Sequence, residues 1–308
     1  ADERYEMRYE HDGTKLQRFP VPECRPTDRA RKLDVLAQQL QSQSPERRLR
    51  DWHARGDQNG APLRAIVAEA ERRWGEIRAR MIALQEELDW ECYRLYGLID
   101  EDLTVGDGAE PPEIAFGERA FELVMGRRIE SGELETTWFD RHNAHARKDP
   151  NPRWPESYQA LVQRRVAFCE TNPILGLIEQ PEYKRRWNTE TWADQLSRAL
   201  RSWLLDRLES HFDLDGRMND EGKPTARFEV GLVSVARLAD EAKHDRDFLE
   251  VGALYRDDPA FDVDRLVAEL VESESVPLLP ILRYKPTGLR KRKEWESTWA
   301  LQREEDAI

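Results

Sequence analysis

The stretch from Pro62 to Leu95, PLRAIVAEAERRWGEIRARMIALQEELDWECYRL, decides the fold class of this chain. Its apolar residues recur every three or four positions, which is the spacing of one buried face on an α-helix. Proline is favoured in the first turn of a helix, so Pro62 marks the start. At 1.5 Å per residue the stretch predicts a helix about 50 Å long. Gly75 is its weakest point, since glycine costs about 1 kcal/mol relative to alanine.

A shorter helical pattern precedes this stretch, between residues 28 and 43. Leu33, Leu36 and Leu40 share one face of it, at the same three- and four-residue spacing. Packing of that face on the long helix would form an antiparallel helical hairpin. Residues 1–25 carry no regular period, and we expect them to form an extended lead-in to the hairpin.

A domain linker is predicted where the long helix ends. Gly97 ends the helical pattern, and residues 100–113 hold six acids, no base and two prolines. Such a segment is typical of a connection between domains. We therefore expect two parts, with a boundary near residue 105. Residues 1–105 would form the lead-in and the helical hairpin, and residues 106–308 a helix-rich C-terminal domain.

The composition supports a mainly α fold. Hydrophobic residues make up 39% of the chain and charged residues 35%, which fits amphipathic helices with solvated faces. The predicted architecture is a long antiparallel helical hairpin followed by a predominantly helical domain with at most a few short strands. Two short strands could occur, at Ile174–Ile178 and Arg227–Val233.

The charge of the chain limits its partners. With 48 basic and 61 acidic side chains the formal charge is −13, so the summed field repels nucleic acids and anionic membranes at long range. Contact with nucleic acid would need a local basic patch. The sequence contains neither a long apolar segment nor a secretory signal, and its three cysteines are far apart. We expect a cytoplasmic protein without disulfides that does not enter a membrane.

Motifs for catalysis or metal binding are weak. His142 and His145 could lie one helical turn apart, but zinc needs three or four ligands. A metal-dependent nuclease is conceivable, because paired carboxylates and a lysine can hold Mg²⁺ and activate water. The residues of that alternative are Asp213, Asp215, Glu221 and Lys223. In so highly charged a chain such groupings also arise by chance, and we predict no catalytic, cofactor-binding or metal-binding residue.

Two basic runs are the candidate DNA-binding sites. One lies at Tyr183–Trp187, and the other lies within Ile281–Lys293, which contains no acid and is followed by Trp295 and Trp299. Either run could contact phosphates, or could pair with the acids of this same chain. The candidate residues are Lys184, Arg185, Arg186, Arg283, Lys285, Arg290, Lys291, Arg292 and Lys293.

Four stretches carry a resemblance to a known family. They are DGTKLQRFPVP at Asp12–Pro22, LDWECYRLYGL at Leu88–Leu98, ILGLIEQPEYKRRW at Ile174–Trp187 and SVPLLPILRYK at Ser275–Lys285. The first resembles the sequence that follows the catalytic region of the PglX family, the adenine-specific DNA methyltransferases of BREX and phage-growth-limitation defence. The second is shared more widely with restriction-methyltransferases. The last two are similar to the C-terminal extension of the type 2 BREX form.

The resemblance implies a function for a longer enzyme. PglX-like enzymes methylate the N6 amine of adenine with S-adenosylmethionine, using a glycine-containing loop and an Asn-Pro-Pro-Tyr motif that receives the flipped base. Neither motif occurs in this sequence; the nearest strings are at Asp149–Trp154 and Thr171–Ile174. The resemblance therefore implies a C-terminal accessory segment, inactive by itself and without bound cofactor.

That segment would position or clamp double-stranded DNA and dock other BREX subunits. The alternative is an interaction scaffold that does not bind DNA and uses its acidic faces to organise partners.

Overall fold

The structure is a computed structural model. It describes residues 17–56, 61–106, 108–184, 187, 190–211, 234–273 and 286–305, the side chains of 286–289 and 292 excepted. Over these residues the chain forms twelve helices and no strand, which confirms the predicted mainly α fold. The helices are α1 (Thr27–Ser42), α2 (Pro45–Arg55), α3 (Leu63–Leu95), α4 (Ala120–Glu130), α5 (Trp138–Arg141), α6 (Glu156–Thr171), α7 (Pro173–Ile178), α8 (Trp192–Glu209), α9 (Val235–Lys243), α10 (Arg246–Arg256), α11 (Val263–Ser273) and α12 (Pro286–Glu305).

The long predicted helix is α3, and it is unbroken at Gly75. Four consecutive residues, Met81 to Leu84, are all buried, so this part of the helix is surrounded by protein on every side. A helix buried all round is unusual, because most helices keep one face in water. The C-terminal half of α3 is therefore the centre of a core and not one face of a simple hairpin.

The predicted hairpin partner, α1, forms ion pairs with α3 and with the segment that follows α3. Arg29 forms an ion pair with Glu91 on α3, and Lys32 pairs with Glu110. No residue of α1 is buried. Its leucines at 33, 36 and 40 are only partly covered, so they do not form the close apolar seam that their spacing suggests.

The chain folds as two compact units, each built from two separate segments. The first unit takes the residues up to Gln41 together with Trp74–Thr189, and the second takes Ser42–Arg73 and the residues from Glu190 onward. This division differs from the single boundary expected at residue 105. The reason is that the acidic segment after α3 folds back on it: Leu103 and Ile114 are buried, and the Ile114 amide donates to the Ala79 carbonyl at 3.3 Å.

The core of the first unit surrounds the C-terminal half of α3 with the 98–118 segment, α4, α6 and α7. Its buried residues are Ile82, Ala83, Trp90, Ile99, Leu103, Ile114, Ala120, Leu123, Trp154, Tyr158, Val162, Val166, Cys169 and Leu175. Gly126 on α4 allows the closest backbone approach, because a Cβ there would lie 2.0 Å from the Arg147 carbonyl oxygen.

The prediction of a strand at Ile174–Ile178 is wrong, since these residues belong to α7. The Asn172 side chain accepts hydrogen bonds from the amides of Ile174 and Leu175, and Pro173 occupies the first helical turn. These are standard helix-start signals, and they outweigh the apolar run that favoured a strand. The second expected strand, Arg227–Val233, lies outside the described residues.

The second unit includes the first turns of α3, whose Leu63, Val67 and Ala70 are buried. Helix α8 packs against α2 and α10, and α9 packs against α11.

The three cysteines, Cys24, Cys92 and Cys169, all belong to the first unit and form no disulfide with one another. None of the described helices combines the length and the apolar character that a membrane crossing requires.

Candidate functional site

The most unusual chemistry of the first unit is a group of charged side chains inside its core. We call it the ion cluster. Its members come from α3, from α4 and the residue before it, from α6 and from the segment after α7, and each is at most 7% exposed. They are Glu86, Glu87, Arg119, Glu122, Arg165, Glu179 and Lys184. Buried charges are tolerated only where opposite charges and hydrogen bonds compensate the lost hydration.

Lys184 is held by carboxylates from two directions. Its Nζ lies 2.7 Å from Oε1 of Glu179 and 2.6 Å from Oδ2 of Asp89, and 3.8 Å from Oε2 of Glu86. The residue is only 7% exposed. Lys184 was a candidate DNA contact, but here its ammonium group faces the interior and is not accessible to a phosphate.

Arg165 and Glu87 form the second pair of the cluster. Nη2 of Arg165 lies 2.6 Å from Oε1 of Glu87, and both Nε and Nη2 donate to the Leu103 carbonyl. Glu87 also accepts from the hydroxyl of Tyr158 at 3.3 Å and from the Val105 amide at 2.8 Å. These bonds tie α3, α6 and the acidic segment together.

Arg119 and Glu122 form the third pair, at the start of α4. The Glu122 carboxylate accepts from the Arg119 guanidinium, from the backbone amides of Gly117 and Arg119, and from Nε1 of Trp138. Glu86 accepts from the amide of Ala120 at 3.2 Å. Because a helix start leaves amides without partners, these two carboxylates stabilise the beginning of α4.

The pKa values in the cluster shift in opposite directions. Burial raises the pKa of Glu179, and the neighbouring carboxylates of Glu86 and Asp89 add to that effect against the opposing influence of Lys184. Burial also acts to raise the pKa of Glu86, but Lys184, Arg165 and Arg119 together hold it below its ordinary value. Among the residues that the structure describes, Oε2 of Glu179 is buried without a hydrogen-bond partner. Glu179 is thus the least compensated carboxyl of the cluster.

A cleft of about 1150 Å³ borders the cluster. Its walls are α4, the 134–142 segment and residues 176–182, with Phe121 and Trp138 among the apolar lining and Arg128 and Asp140 among the charged lining. The His142 ring lies against the Trp138 ring, with centroids 4.1 Å apart. The cleft mixes both signs of charge with apolar surface, so its lining alone does not define a ligand.

Metal ligands do not converge in the described part of the chain, where no group of three His, Cys, Asp or Glu side chains could hold an ion. His142 uses Nδ1 to donate to the Trp138 carbonyl at 2.7 Å, and His145 is exposed. The residues of the nuclease alternative, Asp213, Asp215, Glu221 and Lys223, lie outside the described residues.

The C-terminal basic run lies partly on α12. The side chains of Arg290, Lys291 and Lys293 are exposed there, as are Trp295 and Trp299. Their contact with DNA stays a prediction. Four other candidates, Arg185, Arg186, Arg283 and Lys285, lie outside the described residues, as does the side chain of Arg292.

The sequence patterns missed the ion cluster. A signal was present, because Glu86 lies four residues before Trp90 and therefore shares the helix face of that large aromatic side chain. Trp90 is fully buried, and its Nε1 donates a hydrogen bond to the Glu86 carboxylate.

Comparison with known proteins identifies a family and a relative of this chain. A family model described as "Domain of unknown function (DUF7008)" matches residues 81–308. The chain is 45% identical over 303 residues to the adenine-specific methyltransferase PglX of Streptomyces coelicolor. That match covers 97% of this chain but 24% of the relative, so the chain spans about a quarter of the relative's length, in its C-terminal part. No solved structure matches the chain significantly.

Proposed function

Because the chain belongs to the DUF7008 family and its resemblance to PglX is confirmed, we propose that it is a helical segment of a longer adenine-specific DNA methyltransferase. The support is the 45% identity, which extends over 303 residues. In this proposal the segment does not carry out methyl transfer. It helps to place double-stranded DNA, and it docks other subunits of a BREX-type defence system.

The methyl donor of the longer enzyme would be S-adenosylmethionine. The sequence contains neither the glycine-containing loop nor the Asn-Pro-Pro-Tyr motif expected for the cofactor and the target base. Gly106 and Gly108 do not replace that loop, since Thr104 stands where its Phe-x-Gly-x-Gly-like pattern has a phenylalanine. We therefore assign no residue of this chain to the cofactor.

The DNA contact is proposed for α12, and one observation carries it: the basic side chains of this helix are exposed to solvent. Arg290, Lys291 and Lys293 are all exposed, and two exposed tryptophans follow them on the same helix. Lysine and arginine bind phosphates by displacing counterions, and such binding weakens as salt increases. A local patch of this kind is needed, because the chain as a whole has a formal charge of −13.

The test is fluorescence anisotropy of a labelled mixed-sequence duplex with the 308-residue chain, at about 50 and 200 mM salt. We expect salt-sensitive binding that the double variant Lys291→Glu/Lys293→Glu weakens, with a smaller salt slope. Each lost phosphate contact lowers that slope by about one. The matched control is Arg50→Glu/Arg153→Glu, which reverses two exposed bases elsewhere.

The alternative is an interaction scaffold that does not bind DNA, for which the excess of acidic side chains is the supporting observation. A scaffold would show no duplex affinity at either salt concentration. Equal affinities of the α12 variant and the control would remove the proposed DNA contact of α12 in particular.

A further inference from the structure

Helix α12 carries a regular row of side chains that we call the Trp row: Lys291, Trp295, Trp299 and Arg303. The members are four residues apart, and residues at this spacing lie next to one another along a helix surface. Over twelve residues the row extends about 18 Å. It contains no acid and has a cation at each end.

Both rings of the row are open to solvent. Trp295 is 62% exposed and Trp299 is 49% exposed. Their centroids lie 6.1 Å apart with the ring planes at 63°, so each ring keeps much of its surface free. Neighbouring exposed tryptophans are unusual, because large aromatic side chains are normally buried and exposed apolar groups mark binding sites.

The rest of α12 does not explain this exposure. Every α12 side chain that the structure describes is exposed, so the helix does not use the Trp row to pack on its own unit. A solitary helix of 20 residues gains little stability in water. A ligand that covers the two tryptophan rings would bury their apolar surface. It would thereby supply the stabilisation that packing on the rest of the protein does not provide.

The charges indicate the occupant. Lys291 and Arg303 are exposed, and neither forms an ion pair with another described residue. Glu294 lies in the adjacent row, and its carboxylate is within 3.7 Å of Arg290. A ligand on the Trp row therefore meets aromatic faces in the middle and positive charge at the ends. A strand with stacking bases and phosphates on either side matches this order.

We propose that the Trp row binds single-stranded DNA, with unpaired bases stacked on Trp295 and Trp299 and phosphates beside Lys291 and Arg303. Aromatic platforms combined with basic side chains are the usual means of holding single strands, and they are tolerant of sequence because every base has a stacking face. Paired bases in a duplex do not expose these faces. This inference rests on the proposed DNA contact of α12 and assigns it a strand preference.

The experiment compares a labelled oligothymidine, which forms no duplex, with the labelled mixed-sequence duplex, using the 308-residue chain and anisotropy. We expect Trp295→Ala/Trp299→Ala to weaken oligothymidine binding at least about tenfold, because loss of one stacking ring costs roughly five- to 150-fold. Duplex affinity should stay within about twofold, less than the cost of losing one stacked base. The conservative variant Trp295→Phe/Trp299→Phe should keep most of the single-strand affinity.

Controls separate this inference from the proposed function. Phe19→Ala removes an exposed aromatic ring from the first unit, outside both basic runs, and should change neither affinity. Far-ultraviolet circular dichroism should be unchanged in every variant, since the replaced side chains are exposed.

The inference is overturned if the alanine variant binds oligothymidine as well as the unchanged protein does, or if it loses both DNA forms in parallel. If duplex binding still depends on Lys291 and Lys293, only the Trp row inference fails. If the unchanged chain binds neither form of DNA, the proposed DNA contact of α12 fails as well. The exposed Trp row would then be assigned to binding of a protein partner.

Discussion

Nη2 of Arg165 lies 2.6 Å from Oε1 of Glu87, and neither side chain is exposed to solvent. Burial lowers the pKa of Arg165, but the negative charges of Glu87 and the neighbouring acids raise it above its ordinary value overall. The guanidinium therefore stays charged, and the pair holds α6 on α3.

Removing one partner of this pair should destabilise the protein. We expect Arg165→Met to lower the free energy of unfolding by about 3–5 kcal/mol, because it leaves Glu87 as an uncompensated buried charge. Urea denaturation followed by circular dichroism measures the loss. Arg164→Met is the matched control: Arg164 is exposed and pairs with Glu101, and surface pairs contribute at most about 1 kcal/mol. Equal losses in the two variants would contradict the role given to Arg165.

The raised pKa of Glu179 should make stability fall as pH rises. The folded protein holds the Glu179 proton more tightly than the unfolded chain does. The contribution of Glu179 to stability is therefore largest below the ordinary carboxyl pKa of 4.5 and is lost as pH increases from there through the folded-state value.

The variant Glu179→Gln should lose this part of the pH dependence, since an amide does not ionise. Denaturation curves over a pH series, compared with wild type, measure the difference. Glu182→Gln replaces an exposed neighbour and should leave the pH dependence as it is. The depressed pKa of Glu86 contributes a separate loss at low pH, which all three proteins share. Identical pH profiles of wild type and Glu179→Gln would refute the assignment.

Two glycines offer opposite outcomes for the same substitution. At Gly126 a new Cβ would lie 2.0 Å from the Arg147 carbonyl oxygen, so we expect Gly126→Ala to cost about 1–3 kcal/mol or more. At Gly75 no atom lies within 4 Å of the Cβ position, and the residue is inside α3. Gly75→Ala should therefore stabilise the protein by about 0.5–1 kcal/mol. Thermal denaturation of both variants tests the pair, and a stable Gly126→Ala protein would show that α4 and residue 147 are not in close contact.

Asp245 should make the second unit sensitive to acid. Its carboxylate accepts from the amides of Asp247 at 3.0 Å and Phe248 at 3.2 Å, at the start of α10, and it pairs with Arg207. Partial burial acts to raise its pKa, but Arg207 and these amides hold it below the ordinary value of 3.8. The stabilisation is therefore present above that pH and is lost as pH falls through the folded-state pKa.

Asp245→Asn should keep the helix cap but lose this acid sensitivity, whereas Asp245→Ala should also lose about 1 kcal/mol for the cap. Acid titration of the circular dichroism signal separates the two variants. Asp240→Asn, at an exposed position on α9, is the control. An alanine variant as stable as the asparagine variant would exclude the capping role.

Local patterns predicted the helices well and their packing poorly. The apolar spacing from Leu63 onward placed α3 correctly, because the period of a helix is a property of neighbouring residues. Leu88 continues the apolar spacing from Leu84, yet it is only half-buried, while Glu86 and Glu87 are fully enclosed. Their burial depends on Lys184 and Arg165, which are far away in sequence, and no local period contains that information.

The environment of Lys184 was also not visible in the local pattern. A run of basic residues was interpreted as a surface patch, but one member of it compensates the acids of α3 and Glu179. Basic character in the sequence does not distinguish a lysine that meets solvent from one that meets carboxylates. Only the packing of the 179–184 segment on α3 decides between them.

Helix α3 contributes its first turns to the second unit and the rest to the first, and both units are assembled from two separated segments. This arrangement limits when each unit can complete its folding while the chain is being synthesised. The residues up to Gln41 must wait until Thr189 has left the ribosome before their unit is complete, and Ser42–Arg73 must wait for the chain from Glu190 onward. Nor does any single backbone cut between the units release either of them intact, because each unit contains two separated segments.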